Sequence, residues 1–382
     1  MRLGDCLKMN LHSYSEKDKW SVIRYLDTGN ITEGRLNEVQ SLLVGRDKIP
    51  SRARRKVSIG DIVFSTVRPN QKHYGIIEEE IENLLVSTGF AVMTVNEEIA
   101  DPYFIYYFLT QPDIINSLQA IAEQSTSTYP SIKPSDIEGI EICLPALKTQ
   151  KKVSNILRVI DEKMKLNNRI NDNLLSQAQT LYKQFFPYSV QDDLPDGWRI
   201  GIVGEIIEIH DSKRIPLSGA DRAKMEKKIY PYYGAASLMD FVDNYIFDGK
   251  YLLLGEDGTV VDDAGYPILQ YVWGQFWVNN HAHILTGRLG YDVESLYMLF
   301  KQTPVKSIVT GAVQPKISQA NLRSIQVVIP PEHTLREYND LVEPLFSLFR
   351  ANEEECKTLT ALRDMLLPKL MSGEIDVSAV QF

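Results

Sequence analysis

The sequence predicts an α+β protein with two globular domains, each a twisted β-sheet with peripheral helices, separated by two long helices that form an antiparallel coiled coil. Three observations predict this fold. A segment near residue 130 recurs near residue 315 in constant register, two segments space their apolar residues alternately by three and four, and the composition, 44% hydrophobic and 24% charged, is that of a globular protein. A chain of 382 residues is long enough for two hydrophobic cores.

The internal repeat divides the sequence into two similar halves. Residues 129–145 align with residues 314–330 without a gap, and Pro130 and Pro315 are 185 residues apart (315 minus 130). Weaker similarities, at offsets that drift from 189 to 192, continue into the globular parts, as loops of unequal length require. We therefore expect four segments: a first domain at 1–145, a central helix at 146–190, a second domain at 191–330 and a C-terminal helix at 331–382.

Each half ends in a segment with the heptad spacing of a coiled coil. The first heptad set is Val153, Leu157, Ile160, Met164, Asn167, Asn171, Leu174, Ala178, Leu181 and Phe185. The second heptad set is Tyr338, Leu341, Leu345, Leu348, Asn352, Glu355, Leu359, Leu362 and Leu366. Polar residues in the middle of each set fix the register, which favours one antiparallel pairing within the chain. The alternative is two separate amphipathic helices, each packed on its own domain.

The composition and the motifs argue against several classes of protein. The sequence has no run of about eighteen apolar residues and no signal-peptide pattern, so we expect a cytoplasmic protein without membrane contact. Its three cysteines are isolated, which favours reduced side chains over disulfides or a metal site. With a formal net charge of -9, any contact with nucleic acid has to be local. Phosphate-binding glycine loops and the Asn-Pro-Pro-aromatic motif of adenine methyltransferases are absent, so we expect no cofactor and no catalytic residue.

In this order, the features resemble the specificity subunits of type I restriction-modification systems, whose chains alternate recognition domain, helix, recognition domain and helix. The resemblance covers essentially all 382 residues. Its local markers are Gly-Asp-Ile-Val at 60–63 with Gly-Lys-Tyr-Leu at 249–252, the duplicated segments at 130–145 and 315–330, Leu-Pro-Asp-Gly-Trp at 194–198, and Leu-Leu-Pro-Lys-Leu-Met-Ser-Gly-Glu-Ile at 366–375.

The resemblance implies that each globular domain reads one part of a split, asymmetric target in double-stranded DNA, while the helices set the length of the unread spacer. It also implies partners. Two modification subunits would carry S-adenosylmethionine and methylate adenine N6, and ATP-driven restriction subunits would complete the nuclease form. The chain itself would then be a non-catalytic specificity subunit.

Candidate DNA contacts of the first half lie in three segments. Cations cluster at residues 46–56, polar donors follow an apolar strand at 65–72, and hydroxyl groups precede the repeated segment at 124–129. Arg and Lys contact phosphates, and Arg also pairs with guanine O6 and N7. The candidates are Arg46, Lys48, Arg52, Arg54, Arg55, Lys56, Arg68, Asn70, Lys72, Ser127 and Tyr129. The alternative interpretation is a set of solvated loops and polar turns.

In the second half, the candidates are Lys213, Arg214, Tyr232, Tyr233, Gln275, Asn280, His281 and Lys316. Aromatic residues before a glycine are more often core residues, so the alternative for Tyr232 and Tyr233 is that they lie in the hydrophobic core. The alternating His281 and His283 resemble metal ligands, but a tetrahedral set at the expected spacing is not completed nearby, and we expect no metal.

Two other classes of function stay open from the residues alone. The acidic group at 256–263 is compatible with magnesium in a nuclease, although a turn between strands explains it better because no Lys follows at short spacing. A scaffold that binds other proteins would fit the acidic charge. Salt-dependent, sequence-selective DNA binding would separate a DNA reader from a scaffold.

Overall fold

The computed structural model describes residues 1–125, 129–311 and 313–381. The chain divides into two compact units. Unit 1 is Met1–Leu166 together with Glu355–Phe382, and unit 2 is Asn167–Glu354. Each unit contains one globular half of the repeat and a part of each of two long helices, so the helices do not form units of their own.

Unit 1 has ten strands and three short helices among its described residues. The strands are β1 (Leu7–Met9), β2 (Val22–Leu26), β3 (Ile31–Thr32), β4 (Arg35–Leu36), β5 (Gln40–Leu43), β6 (Ala53–Lys56), β7 (Ile62–Ser65), β8 (Tyr74–Ile76), β9 (Leu84–Ser87) and β10 (Phe90–Val95). The helices are α1 (Pro102–Leu109), α2 (Pro112–Glu123) and α3 (Pro134–Glu138), and the first long helix, α4 (Leu147–Phe185), begins in this unit.

Two four-stranded sheets form the body of unit 1. One is antiparallel in the order β1-β10-β7-β8, and the other has the order β5-β2-β9-β6 with β2 and β9 parallel. Strand β7 is buried along its whole length, as an apolar run covered on both faces should be. Its Phe64 lies in the main core with helix α1, which starts where Asp101 accepts a hydrogen bond from the Phe104 amide at 3.0 Å.

Unit 2 also has ten described strands. They are β11 (Arg199–Ile202), β12 (Ile207–Ile209), β13 (Tyr230–Tyr233), β14 (Leu238–Val242), β15 (Phe247–Asp248), β16 (Tyr251–Gly255), β17 (Leu269–Val272), β18 (Gln275–Val278), β19 (Ala282–Gly287) and β20 (Gln326–Ile329). Its helices are α5 (Val203–Ile206), α6 (Gly219–Ala223), α7 (Val293–Phe300) and α8 (Gln319–Arg323), and the second long helix, α9 (Glu332–Met371), begins here.

The sheets of unit 2 repeat those of unit 1. The antiparallel sheet has the order β12-β19-β16-β17, and the second sheet has the order β14-β13-β18-β15 with β13 and β18 parallel. Helix α7 follows its sheet as α1 does, with Asp292 accepting from the Ser295 amide at 2.6 Å. The predicted α+β fold with an internal repeat is therefore confirmed, strand for strand in the two main sheets.

The two long helices pair in antiparallel fashion within each unit. In unit 1, the later part of α9 lies along the first part of α4: Arg363 pairs with Asp161 at 3.3 Å, and Leu367 shares the main core with Leu157. In unit 2, Asn352 donates to the Asn171 amide oxygen at 2.9 Å, and the Tyr338 hydroxyl donates to the Ala178 carbonyl at 3.2 Å. Residue numbers fall along α9 as they rise along α4, which fits the predicted coiled coil rather than two separate helices.

The predicted heptad set of α4 matches its buried face. Leu157, Ile160, Asn167, Asn171 and Leu174 are buried, while Met164 and Leu181 are partly buried.

The buried face of α9 departs from the predicted heptad set at several positions, although Tyr338 is buried as predicted. Leu341, Leu348 and Leu362 are exposed, and Leu345, Leu359 and Leu366 are only partly buried, although Asn352 is buried as predicted. The buried residues are instead Val342, Phe346 and Leu367, each one residue further along. The helix has apolar residues on both of these adjacent stripes, so the spacing alone does not separate them. Aromatic packing does so at position 346, since the ring of Phe346 contacts the ring of Tyr271.

The C-terminal segment after α9 returns to unit 1. Val377 is buried in the main core of that unit with Leu370, and Ile375 and Val380 pack against the same core. Lys152 on α4 donates to the carbonyl oxygen of Ser378 at 2.6 Å. Within the described residues, every helix is either too short or too polar to cross a membrane.

Candidate nucleic-acid interface

The same pair of loops is built twice, once in each unit. In unit 1, residues 66–68 follow β7 and lie against residues 130–132; we call these segments the first loop pair. The Arg68 amide donates to the Pro130 carbonyl at 2.9 Å, and the Ile132 amide donates to the Thr66 carbonyl at 2.8 Å. The Thr66 amide donates to the Gly89 carbonyl at 2.8 Å, which ties the loop pair to the turn before β10.

The second loop pair is formed by residues 256–258, after β16, and residues 315–317. The Gly258 amide donates to the Pro315 carbonyl at 3.0 Å, and the Ile317 amide donates to the Glu256 carbonyl at 2.8 Å. The Glu256 amide donates to the His281 carbonyl at 2.8 Å. All three backbone hydrogen bonds of the first loop pair are thus repeated. Matching proline and isoleucine residues of the sequence repeat hold equivalent loops in place.

The side chains at equivalent positions of the two loop pairs are different. Thr66, Val67, Arg68 and Ser131 of unit 1 correspond to Glu256, Asp257, Gly258 and Lys316 of unit 2. The same backbone frame therefore carries different side chains in the two units.

Predicted DNA contacts of unit 1 gather at the first loop pair. The Arg68 guanidinium lies over the Tyr129 ring, with 5.0 Å between its Cζ and the ring centroid, and both side chains are exposed. Asn70 is exposed two residues further on. Lys72 is exposed as well, and its pair with Glu33, at 2.6 Å, is a surface ion pair of little net stability. The structure thus brings four predicted residues to one surface, while Ser127 lies outside the described residues.

The basic stretch at 46–56 borders the same turn. The Thr88 amide donates to the Arg52 carbonyl at 2.9 Å, one residue before the Gly89 carbonyl that the first loop pair uses. Arg46, Lys48, Arg52 and Arg54 expose their side chains.

Arg55 and Lys56 are engaged within the protein. The Arg55 guanidinium donates to Asn10 and to the Phe90 carbonyl, and burial lowers the pKa of this side chain. Lys56 pairs with Asp18 and lies over the Trp20 ring. Four of the six predicted cations are therefore available to a phosphate without breaking an internal contact.

In unit 2, a buried charge network lies at the second loop pair. Arg214 donates to Glu256 at 2.6 Å and to the Ala282 carbonyl at 2.8 Å, with only 14% of its side chain exposed. Lys316 pairs with the same carboxylate at 3.2 Å but is half exposed. His281, partly exposed, pairs with Asp257. The predicted residues Arg214, His281 and Lys316 are thus brought together, and Arg214 is positioned to hold the loops rather than to reach a ligand.

His283 is the centre of this network. Its Nδ1 lies 2.6 Å from an Asp211 carboxylate oxygen and its Nε2 lies 2.8 Å from the Ile317 carbonyl. Asp211 also accepts from the Ile284 amide at 3.0 Å and from Gln319 at 2.6 Å, so it acts purely as an acceptor. Both ring nitrogens of His283 therefore have a hydrogen-bonding partner, and the ring links Asp211 to the second loop pair.

The network keeps its carboxylates ionised. Burial by itself would raise the pKa of Asp211, but the hydrogen bond and the charge of His283 outweigh burial and lower that pKa below its usual value. Glu256 behaves in the same way, with its hydrogen bond from Arg214 as the main lowering cause.

Asp211, Glu256 and His283 are also the one group of described residues whose ligand atoms, within 4.8 Å of each other, could surround a metal ion. These three side chains do not suit the binding of a metal ion, because they already have other partners. Both nitrogens of His283 already have partners, Asp211 and the Ile317 carbonyl, and Arg214 and Lys316 already neutralise Glu256. The cluster is better described as a buried ion network that fixes the loop frame.

The other predicted residues of unit 2 are dispersed. Lys213 and Asn280 are exposed beside the network, and the Asn280 carbonyl accepts from Arg214 at 3.3 Å. Gln275 donates to Asp248 at 3.0 Å on the second sheet, away from the loop pair.

Tyr232 and Tyr233 follow the alternative interpretation, in which they are core residues. Tyr232 is 1% exposed with Arg222 over its ring, and Tyr233 packs in a second core, where burial raises its pKa. Tyr232 therefore cannot contact DNA in this conformation.

Sequence reasoning missed Asp211 and His283 as parts of the site. They lie 72 residues apart and become neighbours only through the pairing of β12 with β19. In unit 1, the residue equivalent to His283 is Ala91, since Phe64 pairs with Ala91 as Leu254 pairs with His283. The repeat therefore gave no signal for this network.

Comparisons with known proteins agree with this arrangement. A type I restriction enzyme HindI specificity subunit from Haemophilus influenzae is 27% identical over 98% of both chains. The MjaIX type I restriction enzyme specificity subunit from Methanocaldococcus jannaschii is 22% identical over 77% of this chain and 73% of its own. The crystal structure of a type I restriction-modification S subunit from M. genitalium matches with a TM-score of 0.57 at 16% identity, covering 97% of this chain and 95% of that one, which shows a shared fold.

The family match follows the internal repeat. The sequence model described as "Type I restriction modification DNA specificity domain" matches residues 11–176 and again residues 195–360, so one copy covers most of each half. Two matched domains, two equivalent loop pairs and relatives similar along the whole length lead to one conclusion: the chain belongs to the family of type I restriction-modification DNA specificity subunits.

Proposed function

We propose that this chain reads two separate parts of one double-stranded DNA target, one with each unit. The observation that carries the proposal is the duplicated loop pair, which presents exposed polar groups on the same backbone frame in both units of a chain with two DNA specificity domains. Because the frames carry different side chains, the two parts of the target would differ in sequence, and the whole target would be asymmetric.

The exposed groups have the chemistry that DNA contact requires. In unit 1, the cations at 46–54 would hold phosphates, which fixes the position of the protein on the duplex. Arg68 and Asn70 carry the side chains that pair with guanine and adenine edges in the major groove. In unit 2, Lys213, Asn280 and Lys316 would serve in the same two ways. The charge needed is local, so a net charge of -9 is no obstacle.

We further propose that the two long helices recruit the catalytic partners. Each unit contains one antiparallel helix pair, so the repeated chain would offer two like surfaces to two modification subunits that methylate adenine N6. Restriction subunits that translocate DNA would join this complex. Exposed leucines such as Leu341, Leu348 and Leu362 are available for such contacts. The complex would act in the cytoplasm.

The chain would have no catalytic activity of its own. The acidic side chains at the second loop pair are already engaged, Glu256 by Arg214 and Lys316, and Asp257 by His281. Carboxylates neutralised by internal cations do not provide the open, charged site that a metal-dependent nuclease uses. This supports the assignment of the chemistry to partner subunits.

Methylome sequencing tests the proposal. The chain would be produced with a type I modification subunit in a host that lacks adenine methylation, and every methylated adenine in the genome would be mapped. We expect one motif with two short defined parts and an undefined spacer of fixed length. The modification subunit alone and the chain alone serve as controls, and neither should give a motif. A continuous motif, or methylation by the chain alone, would contradict the proposal.

A further inference from the structure

We propose that Arg68 is a specificity-determining residue of unit 1, whose guanidinium, lying over Tyr129, reads a guanine edge of the target. This inference rests on the proposed function, because it assumes that unit 1 reads DNA. It goes further in assigning one side chain, one class of base contact and one half of the target.

The backbone at Arg68 gives the first argument. Its φ is 49°, in the left-handed region that side chains with a Cβ adopt at a cost of roughly 1 kcal/mol. The equivalent residue of the second loop pair is Gly258, with φ 85°, and it makes the same hydrogen bond to the proline of the repeat. Glycine therefore closes this loop pair without strain. The fold does not require an arginine at position 68, so its presence calls for a role outside the fold.

The surroundings of the guanidinium give the second argument. In the part of the chain that the structure describes, no carboxylate pairs with Arg68, whereas Glu256 of the second loop pair is shared by Arg214 and Lys316. The residue equivalent to Glu256 in unit 1 is Thr66, which brings no charge. Unit 1 thus lacks the internal anion that neutralises the second loop pair, and an exposed cation is left for an external acceptor.

The place of the guanidinium over Tyr129 and the cations around it favour a base edge over a phosphate. The exposed Arg52 and Arg54 next to the loop pair already supply cations for phosphates. The Tyr129 ring centroid lies 5.0 Å from the Arg68 Cζ and holds the guanidinium near one place, while the planar guanidinium presents its N–H groups as a fork. A fork of this kind matches the O6 and N7 atoms of guanine.

The test replaces Arg68 with glycine, the residue at the equivalent position of the second loop pair. In the methylome experiment with the modification subunit, Arg68→Gly should make one guanine position in one part of the motif degenerate, with discrimination at that position reduced about 10- to 100-fold. Arg68→Lys keeps the charge but not the fork, and it should lose the same discrimination. The melting temperature of the purified Arg68→Gly chain should stay within about 3 °C of the wild type, because relieved strain offsets the added chain entropy.

Lys19→Gly is the matched control. Lys19 is another exposed cation with a left-handed backbone, φ 49°, and it lies outside the predicted DNA contacts. Its replacement should leave the motif unchanged. If Arg68→Gly leaves the motif unchanged, or lowers methylation equally at every site while Arg68→Lys restores it, the inference is wrong. If the wild-type complex itself gives no split motif, the proposed function fails instead.

Discussion

Single charged side chains in this protein fall into two groups, those that hold the loops and those that face solvent. Arg55 and Arg54 are neighbours in sequence but belong to different groups. Arg55 donates to Asn10 and to the Phe90 carbonyl, while Arg54 is exposed. Substituting both together would mix a folding defect with a binding defect.

We expect Arg55→Ala to lower the free energy of unfolding by about 1 to 3 kcal/mol, because Asn10 and the Phe90 carbonyl lose a charged donor. Arg54→Ala should change stability by less than about 0.5 kcal/mol, yet reduce the salt dependence of DNA binding by about one unit of log-log slope. Urea unfolding and DNA titrations of the assembled complex at several salt concentrations measure the two effects. Lys8→Ala, at an exposed cation on β1, is the control. Equal salt slopes for Arg54→Ala and wild type would remove Arg54 from the interface.

The buried network of unit 2 predicts a dependence of stability on pH. The pKa of Asp211 is lower in the folded than in the unfolded protein, so its contribution is present above about pH 4 and is lost as the pH falls through the folded-state value. We expect Asp211→Asn to cost about 1 to 3 kcal/mol at pH 7, since the buried His283 ring and the Ile284 amide lose their charged acceptor.

The stability difference between Asp211→Asn and wild type should shrink below about pH 4. Urea unfolding measures it, followed by the fluorescence of Trp198, Trp273 and Trp277, which lie in unit 2. Parallel stability curves for the two proteins down to pH 2 would show that Asp211 is not ionised in the network.

At this scale, the sequence predicted which side chains are charged and near a loop, but not which are neutralised. A window of about ten residues is enough to recognise a run of Arg and Lys in the sequence. Their partners cannot be recognised in this way, because Arg214 meets Glu256 across 42 residues of sequence and Arg55 meets the Phe90 carbonyl across 35. The buried Tyr232 illustrates the same limit, since burial depends on tertiary contacts.

At the scale of elements, the long helices were the most predictable part of the protein. Helix α4 has a single apolar stripe, so its heptad positions identify its buried face. Helix α9 has two adjacent stripes, one with Leu341 and Leu348 and one with Val342 and Phe346. Only contacts with neighbouring aromatic rings decide between them, and these contacts are not encoded in the spacing.

The polar pair in the middle of the helices gives an element-scale prediction. Asn352 donates to Asn171, and Asn171 donates to Glu353 at 2.9 Å. We expect Asn171→Leu alone to cost about 1 to 3 kcal/mol, because a buried amide loses its partner. The double substitution Asn171→Leu with Asn352→Leu should cost less than the sum of the single ones.

Urea unfolding of the two single variants and the double variant gives this coupling energy. We expect at least about 1 kcal/mol. Additive losses would mean that the two amides stabilise the helix pair independently, so that the hydrogen bond between them does not fix the register.

At the scale of the whole molecule, the repeat was visible in the sequence, but the boundary between the two compact units was not. A constant offset of 185 residues predicted two equivalent halves, and the equivalent sheets follow. The division at Leu166 and Glu355 could not be read from composition, because it falls inside two uninterrupted helices.

If the helices set the spacer of the target, shortening both should change it. Deleting one heptad from each helix at facing positions, 164–170 and 353–359, keeps the antiparallel contacts on either side and removes about 10 Å of helix. We expect both defined parts of the methylated motif to persist with a spacer shorter by about three base pairs. Deleting one heptad from α4 alone is the mismatched control and should abolish assembly. An unchanged spacer with the matched deletions would show that the helices do not measure the distance.

The return of the C-terminal segment to unit 1 has a consequence for synthesis on the ribosome. Unit 2 is one continuous stretch, Asn167–Glu354, and can fold as soon as it has emerged. Unit 1 emerges first, but its core includes Leu367, Leu370 and Val377, which are translated after all of unit 2. The half that is made first is therefore finished last, and until then its apolar surface has to be kept from aggregation by chaperones or by rapid translation.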